Sequence, residues 1–384
     1  MDLSFSPQAE AFRAEARAFL EEALGGPFAA VRGRGGLGEM DVLVEERRAF
    51  EQHLAAHGWS CIAWPEAYGG RGATLEQEIL FELAYAEARG PGRVGHVGEG
   101  LLGPTVIRFG TEAQKQRFLP PIAGVTELWC QGYSEPNAGS DLANLQTRAV
   151  RGGEGWRLTG QKVWTSLAEH ADQCFVLART SQGERKHQGI SCLLVEMRQP
   201  GVSVVPIRQA TGSSEFCEVF FDEAVSTELL GPEGEGWKVA MFTLAVERGA
   251  STLAQNLSFE AEFQDVLALA RRTGAVTEPV IRDHIADLGM RLRTMRHVAL
   301  RAITATEAGG TGPETWITKL YWAQLHRDLG ELASEVLGTR TDLLEEEGFD
   351  PHRLLVWTRS DTIYAGTNQI QRNLIAQRGL GLPR

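Results

Sequence analysis

The sequence predicts an α+β chain in three successive parts: helical, antiparallel β, helical. Three observations carry this. In the first third, apolar residues recur at helical spacing, as at Phe12, Ala16, Phe19, Leu20 and Ala23. From about 126 to 228, short apolar runs are punctuated by glycine turns, and no helix of ordinary length fits between them. Beyond Trp237 there is no proline as far as Ala270, and Val239, Phe242, Val246, Ala250, Leu253 and Leu257 form one long apolar stripe. The expected domains are 1–125, 126–228 and 229–384.

Ser6 followed by Pro7 is an N-cap and first-turn pair that starts the first helix. A loop rich in Gly and Arg, 25–38, leads to a second helix over 42–57. A third, over 75–89, carries Ile79, Leu80, Leu83 and Ala86. Residues 101–123 read as short helices broken by Pro104, Pro120 and Pro121. Strands are expected around Trp156, Leu158, Val163 and Trp164, and over 174–178, 190–195, 202–207 and 218–221, with 152–155 and 200–201 as turns. The last third holds a long helix over 237–270, then helices over 280–308 and 317–337. Gly309, Gly310, Gly312 and Pro313 mark the boundary between those two.

A chain of 384 residues with 43% apolar and 23% charged residues has room for a large core, which excludes intrinsic disorder for most of it. Against 38 Lys and Arg stand 50 Asp and Glu, a net charge of −12 that argues against a general nucleic-acid binder. No apolar run approaches the ~20 residues that a bilayer requires. Met1-Asp2-Leu3-Ser4 has neither the basic nor the apolar region of a signal peptide. Cys61, Cys130, Cys174, Cys192 and Cys217 are scattered without CxxC spacing and read as reduced thiols, so a cytoplasmic location is expected. Gly90-Pro91-Gly92-Arg93-Val94-Gly95 spells GxGxxG but follows a helix outside any βαβ unit, so it is a loop and not a dinucleotide fingerprint. His53 and His57 lie four apart, but Leu54, Ala55 and Ala56 stand between them and no third ligand is evident, so no metal site is expected. Neither a GxSxG elbow nor a GxxxxGK[ST] loop occurs.

Two segments stand apart. Residues 129–141 (Trp-Cys-Gln-Gly-Tyr-Ser-Glu-Pro-Asn-Ala-Gly-Ser-Asp) gather hydroxyls, amides and small residues where the β region begins. Such residues let a backbone approach a flat ligand and bond to it, although a turn-rich domain junction has the same composition. Gly160-Gln161-Lys162-Val163-Trp164-Thr165-Ser166 places an indole beside two hydroxyls, suited to a planar ring with a polar rim; alone it is an ordinary strand with an aromatic residue. Together they resemble the acyl-CoA dehydrogenase family. The resemblance runs through 64–70 (Trp-Pro-Glu-Ala-Tyr-Gly-Gly), 109–115 (Phe-Gly-Thr-Glu-Ala-Gln-Lys), 186–191 (Lys-His-Gln-Gly-Ile-Ser), 234–238 (Gly-Glu-Gly-Trp-Lys) and 366–372 (Gly-Thr-Asn-Gln-Ile-Gln-Arg).

The resemblance implies a helical domain, a β domain and a C-terminal four-helix bundle. It also implies FAD as cofactor, an acyl-CoA thioester as substrate and an electron-transfer flavoprotein as electron acceptor. The family's reaction forms an α,β double bond: a carboxylate removes the α-proton while the β-hydrogen leaves as hydride to flavin N5. Carried over by position, Tyr133, Ser134, Gly139 and Ser140 would line the flavin, with Ser140 also toward the thioester. Trp164 would cover the ring, with Thr165 and Ser166 near its N5 edge. At Ala365-Gly366 the backbone N–H of Ala365 would donate to the thioester oxygen, where enolate charge develops.

Departures from the family's pattern carry further implications. Many members have their glutamate base where this chain has Ala365, which cannot take a proton. A minority place it in a Glu-Arg pair on the first long helix of the C-terminal domain, and Glu247-Arg248 stands there. Ala240, Thr243, Glu247, Ser251 and Ala254 share a stripe of small and polar residues, where a partly desolvated carboxylate would have a raised pKa; a surface glutamate paired with its neighbouring arginine fits the same pattern. The segments that commonly reach FAD across a subunit interface are altered. Arg271-Arg272-Thr273-Gly274-Ala275-Val276 replaces an Arg-x-x-Phe-Gly pattern, Pro279 stands near the usual Gln, and Glu335-Val336-Leu337-Gly338-Thr339-Arg340-Thr341 lacks the double glycine. Glu335 would also bring negative charge toward a pyrophosphate.

Retention of one half of the FAD site without the other resembles actinobacterial members of sterol side-chain breakdown, in which two unlike subunits form an α2β2 tetramer. The expected enzyme is therefore an FAD-dependent acyl-CoA dehydrogenase of fatty-acid or sterol side-chain β-oxidation using Glu247, with a homologous partner subunit or as a homotetramer. The alternatives are a flavin oxidase or N-hydroxylase of the same fold, a non-catalytic partner subunit, and a plain acyl-CoA-binding module. The acyl group, and whether CoA or a carrier protein bears it, stay open at this point.

Overall fold

The computed structural model describes residues 5–153, 155–246, 251–307, 314–338 and 349–383. They form two compact units, one of 1–81 with 88–247, the other of 82–87 with 248–384.

In the first unit, α1 (Pro7–Gly25) begins where the cap signal lies, with the Ala9 N–H donating to Ser6 Oγ at 3.3 Å. Next come α2 (Val44–Ala56) and α3 (Leu75–Glu87), the latter running on into 82–87. The expected breaks at proline in 101–123 are not where the helices stop. Pro104 lies at the start of α4 (Gly103–Phe109), directly after a π-helical turn over Gly98–Leu102, so its missing N–H falls where the backbone bonding changes from one helix type to the other. Pro120 and Pro121 lie inside α5 (Glu112–Ala123). A capping box between Thr111 and Gln114 starts that helix, and Pro120 closes it with the group proline keeps: its carbonyl accepts from Gly124 N at 2.9 Å.

Eight strands follow: β1 (Trp129–Gly132), β2 (Arg148–Gly152), β3 (Gly155–Ser166), β4 (Gln173–Arg179), β5 (Ile190–Glu196), β6 (Val202–Ile207), β7 (Phe216–Ser226) and β8 (Glu228–Leu230). They lie in the order β6-β7-β3-β2-β4-β5-β8, with β1 added against β4. Pairing is antiparallel except for β1 along β4 and the single pair Arg148–Arg179 of β2 and β4. The parallel neighbours are possible because the chain from β1 to β4 takes in a long loop and the β2–β3 hairpin, enough for a crossover. In β4, Cys174 to Ala178 are all buried, so the strand reads as a continuous apolar run. All five cysteines are buried free thiols. The unit closes with α6 (Gly236–Val246), where Thr243 Oγ1 lies 3.0 Å from Thr105 Oγ1 of α4.

One inward position of β3 holds a charge. Trp156, Leu158 and Lys162 are all buried, two or four residues apart. Lys162 Nζ donates to Glu135 Oε1 at 2.8 Å and to the Tyr133 carbonyl at 3.1 Å. The Glu135 carboxylate also accepts from the backbone N–H groups of Gln146 and Thr147. Burial pulls the Lys162 pKa below its ordinary value. For Glu135, burial acts upward, but the Lys162 charge and the hydrogen bonds outweigh it and hold the carboxyl below the usual range. Close approach makes Gly160 obligatory: a Cβ there would stand 2.4 Å from Thr147 Oγ1 and 2.7 Å from Thr147 Cα.

The second unit is helical: α7 (Ser251–Thr273), α8 (Pro279–Glu307), α9 (Glu314–Leu337), α10 (Pro351–Trp357) and α11 (Asn368–Leu374). The helix expected over 237–270 is seen as α6 and α7 on either side of 247–250. Those four residues lie outside the described residues, as do Gly309, Gly310, Gly312 and Pro313. Phe259, Val266, Leu288, Leu292, Met295, Trp322, Leu325 and Leu329 are buried. So is His326 of α9, with Nδ1 2.7 Å from Asp361 Oδ2 and Nε2 2.7 Å from Glu262 Oε2. Burial lowers its pKa, but the Glu262 and Asp361 charges and hydrogen bonds prevail and raise it from 6.5 to about 9.

Two outcomes are expected. Lys162→Met strands the buried Glu135 charge and costs about 3–5 kcal/mol in urea denaturation, and Lys162→Met with Glu135→Gln costs less than the single change. Because the His326 pKa is raised on folding, its contribution is complete below pH 6.5 and is lost as pH climbs through about 9. By linkage it is worth about 3 kcal/mol, so unfolding free energy falls between pH 7 and 10 more steeply in the native chain than in His326→Gln.

Candidate functional site

The site residues of the first unit sit where β3 bends. Its pairing with β7 shifts register between Lys162 and Thr165, a bulge that leaves Val163 and Trp164 outside the ladder. The Val163 N–H turns instead to the Ser134 carbonyl at 3.0 Å. Trp164 takes a φ of 60° and leaves 58% of its surface exposed, its ring edge-on to Phe216 with centroids 6.2 Å apart. A large aromatic residue held at positive φ and open to solvent is unusual, and the bulge is what aims it outward. Thr165 beside it is buried, and its Oγ1 has no hydrogen-bond partner among the described residues. Ser166 is half-buried.

The loop after β1 meets this bulge. Tyr133 is buried with its ring edge-on to Phe175, and Ser134 is half-buried. Glu135 and Ala138 exchange backbone hydrogen bonds at 3.1 and 3.0 Å, closing a tight turn. Gly139 and Ser140 follow, both exposed, and a Cβ on Gly139 would meet nothing within 4 Å. Asp141 is paired with Lys186 at 2.7 Å. Tyr133 and Ser134 are thus joined directly to the segment of Trp164, Thr165 and Ser166, and Gly139 and Ser140 extend the same loop. An exposed indole, an unpartnered buried hydroxyl and small exposed loop residues can take a flat ligand with a polar rim.

Ala365 and Gly366 belong to the second unit. Both have positive φ, 50° and 88°, and Ala365 is exposed. Gln371 of α11 holds the turn from behind, its Nε2 donating to the Ala365 carbonyl at 3.2 Å and the Gly366 carbonyl at 3.4 Å. The φ of 88° is what favours glycine at 366; a Cβ there would also stand 2.7 Å from that Nε2 and displace it. Thr367 caps α11 by accepting from Ile370 N. The Ala365 N–H makes no hydrogen bond among the described residues. A free N–H on a braced turn is a donor for an oxyanion.

Glu247 and Arg248 lie outside the described residues. On α6, Ala240 and Thr243 of the small-residue stripe are buried. Arg271 and Arg272 stand in the last turn of α7, and Gly274, at a φ of 79°, leads into a short 3-10 turn over Ala275–Thr277 before Pro279 opens α8. Glu335 is exposed on α9 and its Oε2 is 2.8 Å from His284 Nδ1, a pairing that raises the His284 pKa. Among the described residues, no group of three or more His, Cys, Asp or Glu could hold a metal, and no helix is long and apolar enough to cross a membrane.

Glu135, Lys162 and Gln371 stand inside motifs of the sequence, where nothing local assigns them a role. The alternation of Trp156, Leu158 and Lys162 on β3 was the available signal for a buried lysine. The same holds for His326, which shares a helical face with the buried Trp322, Leu329 and Ala333.

Models of the N-terminal, middle and C-terminal domains of acyl-CoA dehydrogenases match residues 6–126, 130–224 and 234–380. The chain is 50% identical over 378 residues, 98% of each chain, to acyl-CoA dehydrogenase IpdE1 of Mycobacterium tuberculosis. Among solved structures it is similar to a steroid ACAD, Tcur3481-Tcur3483, at 30% identity with a TM-score of 0.87 and 100% of both chains covered. It is also similar to the ChsE4-ChsE5 complex of Mycobacterium tuberculosis at 28% identity, with a TM-score of 0.85 and the same coverage. With all three models matched in chain order and one residue in two shared with a full-length relative, the chain belongs to the acyl-CoA dehydrogenase family.

Proposed function

We propose that this chain carries out α,β-dehydrogenation of a steroid-derived acyl-CoA thioester, with Glu247 as base, as one subunit of an FAD-dependent α2β2 heterotetramer. The observation that carries the reading is the bulge of β3, which exposes Trp164 and leaves the buried Thr165 hydroxyl without a partner. These residues fit FAD. The indole offers a face to the isoalloxazine, and Thr165 Oγ1 offers the hydrogen bond that a buried hydroxyl otherwise lacks. Tyr133, Ser134, Gly139, Ser140 and Ser166 complete the lining. The hydride acceptor for the β-hydrogen is the chemistry that bound FAD supplies.

The chain's own residues supply the rest. Glu247 takes the α-proton, and its neighbour Arg248 is assigned to substrate binding. In the first unit Ser140 is assigned to substrate binding. In the second the turn of Ala365 and Gly366 is, with the Ala365 N–H donating to the thioester carbonyl oxygen as negative charge grows there. Ala365 has no carboxylate to compete with Glu247. An electron-transfer flavoprotein would be the electron acceptor, as the family implies.

The partner subunit follows from what is altered. The 271–276 segment, Pro279 and the ion-paired Glu335 depart from the sequence that reaches FAD across an interface, so a homologous subunit supplies those contacts. The description of one structural neighbour as a steroid ACAD and of another as a two-component complex supports both the bulky substrate and the heteromer. Residues 1–125, 126–228 and 229–384 serve as the three domains of the subunit.

Expressed alone, the chain is expected to be poor in flavin by visible absorbance and native mass. Co-expression with an adjacent-gene homologue is expected to give a yellow tetramer; a yellow homotetramer with one FAD per chain overturns the heteromer. In the assembled enzyme, Glu247→Gln retains flavin and still perturbs the flavin spectrum on binding acyl-CoA, while stopped-flow flavin reduction slows by about 10²–10⁴-fold. Undiminished reduction removes Glu247 as the base.

A further inference from the structure

In the second unit, the stretch from Ser360 to Gly366 has little backbone structure of its own. A single 3-10 turn, Ser360–Thr362, leads through Ile363 and Tyr364 into the two positive-φ residues. It is attached to one buried side chain of α9. His326 is stacked on Phe259 with ring centroids 3.7 Å apart, and each of its nitrogens faces a carboxylate oxygen, Asp361 Oδ2 on one side and Glu262 Oε2 on the other. Only the doubly protonated ring can donate to both.

Asp361 passes the constraint on. Its second oxygen, Oδ1, accepts from the Tyr364 hydroxyl at 2.9 Å, and its backbone carbonyl accepts from Lys319 Nζ. The Lys319 ammonium also lies 5.6 Å from the centre of the Tyr364 ring. Among the described residues, the charged and titratable groups that face His326 or its partners are Glu262 from α7, Asp361 and Tyr364 from the stretch itself, and Lys319 from α9, which bonds to the carbonyl of Asp361. Tyr364 is bound at both ends, by its hydroxyl to Asp361 and by its N–H to the Ser360 carbonyl at 3.2 Å, and the next residue is Ala365. A buried ionic chain of this kind is a poor source of net stability compared with apolar packing, and its attested use is to fix one arrangement.

We propose that His326 is a positioning residue: it holds Asp361 as the anchor of Tyr364 and thereby fixes the turn that presents the Ala365 N–H. The proposal rests on the reading that this N–H meets the thioester oxygen, but its structural content can be tested apart from that reading.

The test is amide hydrogen exchange on the full chain in the assembly it forms, read at Ile363 and Tyr364, whose N–H groups both bond to the Ser360 carbonyl. Tyr364→Phe and His326→Gln are each expected to lower protection at these two amides about tenfold or more. Protection in α8 and the middle of α9 stays unchanged in Tyr364→Phe, a pattern that general loosening of the fold does not give. In the native chain, protection at the two amides is expected to fall as pH passes about 9, and this step is absent in His326→Gln. Should His326→Gln fail to fold, Tyr364→Phe, which removes a single hydroxyl, decides. Unchanged protection in Tyr364→Phe overturns the proposal. A separate measurement tests the thioester reading: the infrared carbonyl band of crotonyl-CoA labelled with 13C at the thioester carbon, bound to the native assembly. A band that is not lowered in frequency removes the Ala365 donor role and leaves the exchange result to decide on His326. A band lowered in the native enzyme and restored toward its free value in Tyr364→Phe supports both.

Discussion

A lysine with no access to water organises the first unit. Taking the Lys162 ammonium and the Glu135 carboxylate out of solvent costs several kcal/mol each, and that cost is offset only while every polar partner stays in place. The partners are all backbone groups of one loop: the Tyr133 carbonyl and the N–H groups of Gln146 and Thr147. Between β1 and β2 that loop has one short 3-10 turn, over Leu142–Asn144, and no ladder of its own. Its path is set by the need to surround an ion pair. The same need explains Gly160, since β3 must pass against Thr147 for the pair to close. The residues with free faces, Trp164, Gly139 and Ser140, are the ones that the pair does not use.

The second unit repeats the principle with different chemistry. There the buried cation is an imidazolium held between Glu262 and Asp361, and the stretch it organises is again short of regular backbone bonding. In both units, helices and central strands rest on apolar packing, whereas the irregular segments beside candidate site residues are fixed by buried ions. That division suits a protein whose scaffold must be stable and whose loops must take one shape, because ionic geometry is directional and apolar contact is not.

The helical framework was legible in the sequence where local chemistry decides it. The Ser6-Pro7 pair starts α1, and the apolar period through α8 and α9 gives their extent to within three residues. Three strands carry no such signal: β1 lies inside a segment marked by its small and polar residues, β2 carries Arg148 and Arg151, and β8 is three residues long. The parallel pairing of β1 with β4 is a property of the whole sheet and leaves no trace in either strand. The two segments that carry the family resemblance were visible as patterns, and the structure joins them through the bond from Val163 to Ser134. The buried charges were not legible, because what makes Lys162 tolerable is a carboxylate 27 residues away, and for His326 the partners are 35 and 64 residues away. Pairing at that range depends on the fold and cannot be read from a window of neighbouring residues.

The turn at Ala365 has one more consequence. Its shape is held by Gln371 behind the two carbonyls, by the Thr367 cap on α11 and by the anchored Tyr364, and none of these hydrogen bonds involves the side chain of residue 365. The backbone there is a fixed socket, and the side chain mounted on it is interchangeable. On the reading proposed above, polarising a carbonyl belongs to the socket and removing a proton belongs to whatever is mounted. On that proposal, divergence within such a fold can move the proton-abstracting group elsewhere in the chain without an intermediate in which the carbonyl loses its donor. Two duties that share one residue in some relatives are inherited separately, because one is written in the backbone and the other in a side chain.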